Sequence, residues 1–309
     1  MTGQQASREP ARVALVVADD RADGVERVVR LFGSPRISGR VFLKPNFNSG
    51  HPTPGSTSSE TLEALVRFLW DAGASAITIG DRSGMMPTRQ TMETKGVFAM
   101  AARLGVDVIV FDELPRSQWE VHSFPDSYWQ RGFALPRPVL EADAIVQTCC
   151  LKTHRYGGHF TISLKNSVGL VAAQLPGESY QYMQELHASP HQRKMIADIN
   201  TTYSPALVVV DALEAFARGG PHVGDVVKPG VFLAGIDRVA IDAVGVAILR
   251  DFGTTPPVAD GPVFSQEQLA RAVELGLGVG RAEDIEIVTD SPEAAAYAAR
   301  LRDILRTAA

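Results

Sequence analysis

Only two cysteines occur in the 309 residues, Cys149 and Cys150, and they are adjacent. Neighbouring residues of a strand point to opposite faces, so a disulfide between them is geometrically awkward. No Cys-x-x-Cys spacing exists, which leaves no zinc ribbon and no iron–sulfur cluster. Such cysteine usage suits a reducing cytoplasm, the expected location. No apolar run approaches the roughly 20 residues of a membrane span. The opening MTGQQASREPAR is polar and has no apolar region of a signal peptide. No Lys/Arg-rich run appears and the net charge is −5. A nucleic-acid surface needs a basic stripe, so neither nucleic acid nor membrane is an expected partner. No Walker A loop is present. GLGVGR at 276–281 has its third glycine one position too early for a dinucleotide fingerprint, and no strand precedes it. It reads as a helix cap and turn, not an NAD site.

What remains is ordinary globular composition, 45% hydrophobic and 21% charged, enough for a sizeable core. Apolar runs alternate with helical spacing. RVALVVA at Arg12–Ala18, Arg40–Leu43, Ser75–Gly80, Val106–Phe111 and Ala144–Cys150 read as strands. Leu62, Leu65, Val66 and Leu69 recur at helical spacing, and a helix is expected over Thr88–Leu104. Strand–helix alternation predicts an α/β fold of two Rossmann-like lobes, with mainly parallel sheets and a cleft between them. Residues 1–11 are expected to be a flexible N-terminus, 12–140 the first lobe and 141–309 the second. Residues 114–140, with four prolines, read as an irregular connection with an edge element. The polar segment 174–190 shows no periodicity and reads as a mobile lid. A strand over Ala206–Val210 ends at Asp211, and Asp237 is the expected N-cap of a helix from Arg238.

In parallel α/β sheets ligands bind beyond the carboxyl ends of the strands. Lys44, Asn46 and Asn48, then Asp81, then Lys152-Thr153-His154, then Asp211 all follow apolar strands. A buried lysine must meet an anion or lose its proton, so Lys44 either binds a ligand, pairs with an acid or reaches solvent. Asn46 and Asn48 either offer amides to the same ligand or serve the turn beside Pro45. The densest segment is 152–166, with Lys152, His154, His159, Thr161, Ser163, Lys165 and Asn166. Lys152 and Lys165 suit a carboxylate or phosphate, and His154 is the natural acid/base because imidazole titrates near neutrality. Alternatively, His154, His159, His187 and His191 are ligands of one divalent metal, although Pro190 interrupts the helical spacing of the second pair. Asp237 is explained as a cap and Asp242 as a partner for a nearby basic residue. The aromatics of 119–129, with Tyr180, Tyr182 and Met183, either wall a pocket or simply pack.

KPNFN at 44–48, GDRSG at 80–84, LKTHRYGGHFTISLKNSVGL at 151–170, VVVDALEAF at 208–216 and AGIDRVAIDAVG at 234–245 stand in an order that resembles the DUF362 family. The resemblance implies that Lys44, Asn46, Lys152, His154, Lys165, Asn166, Asp211, Asp237 and Asp242 are characteristic positions. It implies no reaction. Many members of that family carry cysteine-rich ferredoxin-like segments, and this chain has no such segment.

The expectation is an enzyme for a small anionic or enolisable molecule, working by proton transfer as an isomerase, lyase or cyclase. His154, Lys152 and Lys165 would be catalytic. Lys44, Asn46, Asn48, Asp81, Asn166 and Asp211 would contact substrate. A metal-dependent oxidoreductase and a non-catalytic metabolite binder are the alternatives. The default oligomer is a homodimer.

Overall fold

The computed structural model describes residues 9–33, 35 and 37–307. The expectation of flexibility over residues 1–11 therefore lies, for 1–8, outside the described residues. Among the described residues twelve strands follow in order: β1 (Ala11–Val17), β2 (Gly39–Lys44), β3 (Ala74–Asp81), β4 (Asp107–Val110), β5 (Trp119–His122), β6 (Phe133–Pro136), β7 (Ala144–His154), β8 (His159–Thr161), β9 (Leu207–Arg218), β10 (Asp225–Val227), β11 (Val231–Gly235) and β12 (Ile285–Thr289). The fold is α/β, as the strand–helix alternation predicts. The main sheet runs β12-β1-β11-β9-β7-β2-β3-β4, with β8 added to β7 and β10 to β9. The run from β9 through β7, β2 and β3 to β4 is parallel throughout. One sheet carries both halves of the chain, because β7 lies between β2 and β9. The carboxyl ends of β2, β3 and β7 therefore meet along one edge.

Helices cover both faces. Ser59–Asp71 buries Leu62, Leu65, Val66 and Leu69, the stripe its spacing predicts, and Ser58 caps it by accepting from Glu60 N. Arg238–Asp251 is buried on nearly every side, between the sheet and outer helices. Asp237 caps it as expected, accepting from Ala240 N at 2.9 Å.

Four local expectations change. The helix expected over Thr88–Leu104 is two helices, Thr88–Thr94 and Val97–Leu104, broken at Gly96 with φ 69°. Glycine reaches that left-handed conformation without steric cost, which ends the first helix. The 114–140 connection contains a separate β5–β6 hairpin; its Trp119 and Trp129 pack into the core, the packing alternative of that aromatic cluster. The 174–190 segment contains the helix Tyr182–Ala188, with only Tyr182 and Leu186 buried, a stripe too short to read as periodicity. β7 runs through Lys152-Thr153-His154 instead of ending at Cys150. All eleven of its residues are buried, so the strand carries polar side chains inward where the sequence suggested a loop.

Candidate active site

The site begins with two strand ends. Lys44 closes β2 and Asp81 closes β3, and both side chains are 1% exposed. Their Nζ–Oδ1 distance is 2.7 Å. Burial pulls the Lys44 ammonium down and pushes the Asp81 carboxyl up, and each partner opposes the other's shift. Asp81 also accepts from Phe47 N at 2.6 Å and Arg82 N at 2.8 Å, which favours the carboxylate form. Lys44 therefore pairs with an acid, one of its open readings.

The loop after β2 folds back over this pair and reaches β7. Lys152 Nζ donates to Asn46 Oδ1 at 2.8 Å and to the carbonyl of Gly55. Asn46 Nδ2 donates to Asn166 Oδ1 at 3.4 Å, which also accepts from Lys44 Nζ at 3.0 Å. Asn166 Nδ2 is directed to Thr148 O at 3.3 Å. Asn46 and Asn166 thus bridge the lysines to one another, and their amides are occupied by the protein itself. Lys165 and Asn166 sit on the one-turn helix Ser163–Asn166. Asp242 positions that turn, accepting from Ser163 N at 2.7 Å and Leu164 N at 3.1 Å. Burial pushes its carboxyl up to about 7. Asp242 therefore caps a helix; no side-chain hydrogen bond joins it to Arg238, which is directed to Asn200 and Tyr203.

These elements enclose an inner cavity of about 60 Å³ that adjoins an outer vestibule of about 1160 Å³, with Arg82, His154 and Lys165 among the residues lining both. Four cationic side chains line the inner cavity, Lys44, Arg82, Lys152 and Lys165, against one carboxylate, Asp81. Around it three buried polar atoms have no hydrogen-bond partner among the described residues, Asn48 Nδ2, His154 Nδ1 and Thr161 Oγ1, and Lys165 Nζ makes no hydrogen bond or ion pair with those residues either. Buried polar atoms are nearly always hydrogen-bonded, so three exceptions around one cavity leave capacity there for further hydrogen bonds.

Burial draws Lys165 down to about 7, helped by the charges of Lys152 and Arg82. Burial also draws Lys152 down to about 8. His154 lies well below its ordinary value, first through burial and then through Lys165, Lys152 and His187. It is a neutral imidazole at neutral pH, able to accept a proton.

Of the nine expected site residues, eight line the inner cavity: Lys44, Asn46, Asn48, Asp81, Lys152, His154, Lys165 and Asn166. Asp211 does not. β9 continues seven residues past it to Arg218, and its carboxylate accepts from Thr61 Oγ1 at 2.6 Å and Arg21 Nε at 3.0 Å. It ties two helices to the sheet. The four histidines do not gather. His154 and His187 face the vestibule, His159 pairs with His154 across the β7–β8 ladder, and His191 packs on Tyr128 with ring centroids 4.8 Å apart. Among the described residues no three His, Cys, Asp or Glu side chains are placed to hold a metal ion.

Six lining residues lie outside the expected set, and three of them, Arg82, Thr161 and Gly169, shape the chemistry. Arg82 belongs to the same strand end as Asp81, where the sequence places Asp81-Arg82-Ser83 without assigning it a role; its guanidinium is directed to the carbonyls of Val171, Ser83 and Val168. Thr161 lies in the dense segment. Gly169 leaves the space in which Lys44 meets Asp81. A Cβ there would lie 2.3 Å from Asp81 Oδ1 and 2.8 Å from Lys44 Nζ. Gly169→Ala should cost about 1–3 kcal/mol of stability, the usual range for overpacking. Denaturant midpoints would measure this, and a wild-type midpoint would mean the ion pair has slack.

A family model described as a domain of unknown function (DUF362) matches residues 41–247, about two thirds of the chain. No curated protein matches. Among solved structures the chain is similar to the lactate racemase apoprotein from Thermoanaerobacterium thermosaccharolyticum, with 13% identity and a TM-score of 0.40 over 93% of this chain and 85% of that one. No helix among the described residues is long and apolar enough to cross a membrane.

Proposed function

The chain belongs to the DUF362 family, and from that premise we propose that it is an enzyme acting on an anionic, enolisable metabolite by proton transfer, as an isomerase or lyase. The observation that carries this reading is the set of unpartnered groups, Asn48 Nδ2, His154 Nδ1, Thr161 Oγ1 and Lys165 Nζ, on a cavity lined by four basic side chains and one carboxylate. An excess of buried positive charge is stabilised by an anion. Lys152 and Arg82 hold the anionic group of the substrate. Lys165 stands beside the reacting centre, where a positive group stabilises negative charge as it develops. His154 takes the proton, and Asn48 and Thr161 offer hydrogen bonds to the remaining substrate oxygens. Asn46 and Asn166 keep the lysines in register. The inner cavity admits only a small head group. The vestibule, with Met85, Met86, Pro87, Tyr156 and Met183 on its walls, has room for an apolar body attached to it.

Calorimetry of Lys152→Ala with a panel of small carboxylates and inorganic phosphate tests the binding step. Loss of one charge-assisted contact should weaken binding by about 1.5–3 kcal/mol. Affinity should also fall as pH rises through about 7 and then about 8, where Lys165 and Lys152 lose their protons. Unchanged affinity in the variant, together with no pH dependence over that range, would remove the lysines from anion binding.

A further inference from the structure

The three lysines of the cavity are not equivalent. Lys44 is held by Asp81, Asn166 and Pro45 O. Lys152 is held by Asn46 and Gly55 O. Lys165 Nζ has no partner among the described residues, although the side chain is only 6% exposed. Nor does any carboxylate bear on it; the charges that reach it are those of Lys152 and Arg82, both positive. Beside it stands the unpartnered Nδ1 of His154. Both pack against Gly158, where a Cβ would lie 2.5 Å from Lys165 Cε and 2.9 Å from His154 Nδ1. An amine-bearing and an imidazole side chain thus share one wall of the inner cavity and of the vestibule.

We infer that Lys165 is a covalent catalyst that forms an imine with the carbonyl of a 2-oxo acid or a related carbonyl anion. This inference rests on the proton-transfer reading above and specifies its substrate class. The neutral Nζ adds to the carbonyl carbon, forming a C–N bond. The C–O bond then breaks and the oxygen leaves as water, carrying two protons. One further proton is taken up from solvent, so the nitrogen remains as a protonated iminium. That iminium draws the electron pair of the adjacent C–H bond into an enamine as the proton passes to His154 Nδ1. Return of the proton and hydrolysis regenerate the amine, with no net oxidation. Lysines freed of their proton by burial and by neighbouring cations are the ones that act this way. The value near 7 leaves much of Lys165 uncharged at neutral pH.

The test is reductive trapping on the full chain. The protein is incubated with pyruvate or phenylpyruvate and sodium cyanoborohydride, and adducts are located by peptide mass mapping. In parallel, exchange of the protons next to the carbonyl is followed in deuterated water. The expected result is one dominant adduct, on Lys165, forming faster as pH rises through about 7 and then levelling off. A surface lysine would keep accelerating toward about 10. Lys165→Arg should remove the adduct and Lys228→Arg, at an exposed lysine just after β10, should not; mapping on the wild-type protein settles the site even if Lys165→Arg misfolds. Adducts scattered over surface lysines, or none, with enzyme-dependent exchange intact, would overturn the imine and leave Lys165 as a charge only. Absence of both adduct and exchange would overturn the imine and the proton-transfer reading together.

Discussion

His154→Gln should lower the rate of proton exchange into an enolisable carboxylate by about 10²–10⁴-fold, the usual contribution of a positioned acid/base, with the fold retained. Glutamine preserves most of the volume and a hydrogen-bonding end at the close of β7 but cannot take up a proton. The expectation follows from two independent features. His154 Nδ1 has no partner although it is buried, and the ring is held neutral by burial and by Lys165, Lys152 and His187. The pH dependence has a definite sign. A base whose value is depressed stays deprotonated down to that value, so the acid limb of the rate should lie well below the ordinary imidazole value. A metal-ligand role gives a different signature, because His154→Gln would then release metal and a chelator would inhibit the wild type equally. Full activity in the variant would leave the histidine without either role.

Asp81→Ala should destabilise the protein by about 3–5 kcal/mol, the cost of leaving one member of a buried pair uncompensated. Lys44 would keep its ammonium in a region where both side chains are 1% exposed, with only Asn166 and Pro45 O as acceptors. Phe47 N and Arg82 N would also lose their acceptor. Lys44→Met combined with Asp81→Ala should recover part of the loss, since an apolar replacement removes the stranded charge. Urea unfolding of the two single variants and the double variant checks this, and additivity of the single effects would mean the two residues do not act as a pair.

Much of the site was legible because strand ends are readable. Apolar runs that stop at a charged residue placed Lys44 and Asp81 on the ligand edge of a parallel sheet, and both line the cavity. The same rule misplaced Asp211. It assumes that a strand stops where polar residues begin, and β9 runs on to Arg218 because Arg21 and Thr61 satisfy the aspartate inside the fold. Likewise β7 continues through Lys152 and His154, because the returning loop and β8 supply partners that no local pattern announces. Histidine spacing along the chain said little of side-chain placement: His159 pairs with His154 across the β7–β8 ladder, His191 packs on Tyr128, and among the described residues no three ligating side chains converge. Gly169 and Gly158 were invisible for another reason. Each is defined by what its missing side chain would strike across the fold, Asp81 in one case and Lys165 in the other.

The central claim, that one anionic ligand satisfies the four unpartnered groups, is tested most directly by a crystal structure of the protein with a bound 2-oxo acid. The expected result places ligand atoms within about 3 Å of Asn48 Nδ2, His154 Nδ1 and Thr161 Oγ1, with Lys165 Nζ bonded to or in contact with the carbonyl carbon. A ligand ordered elsewhere, with these four groups facing only solvent or one another, would contradict it.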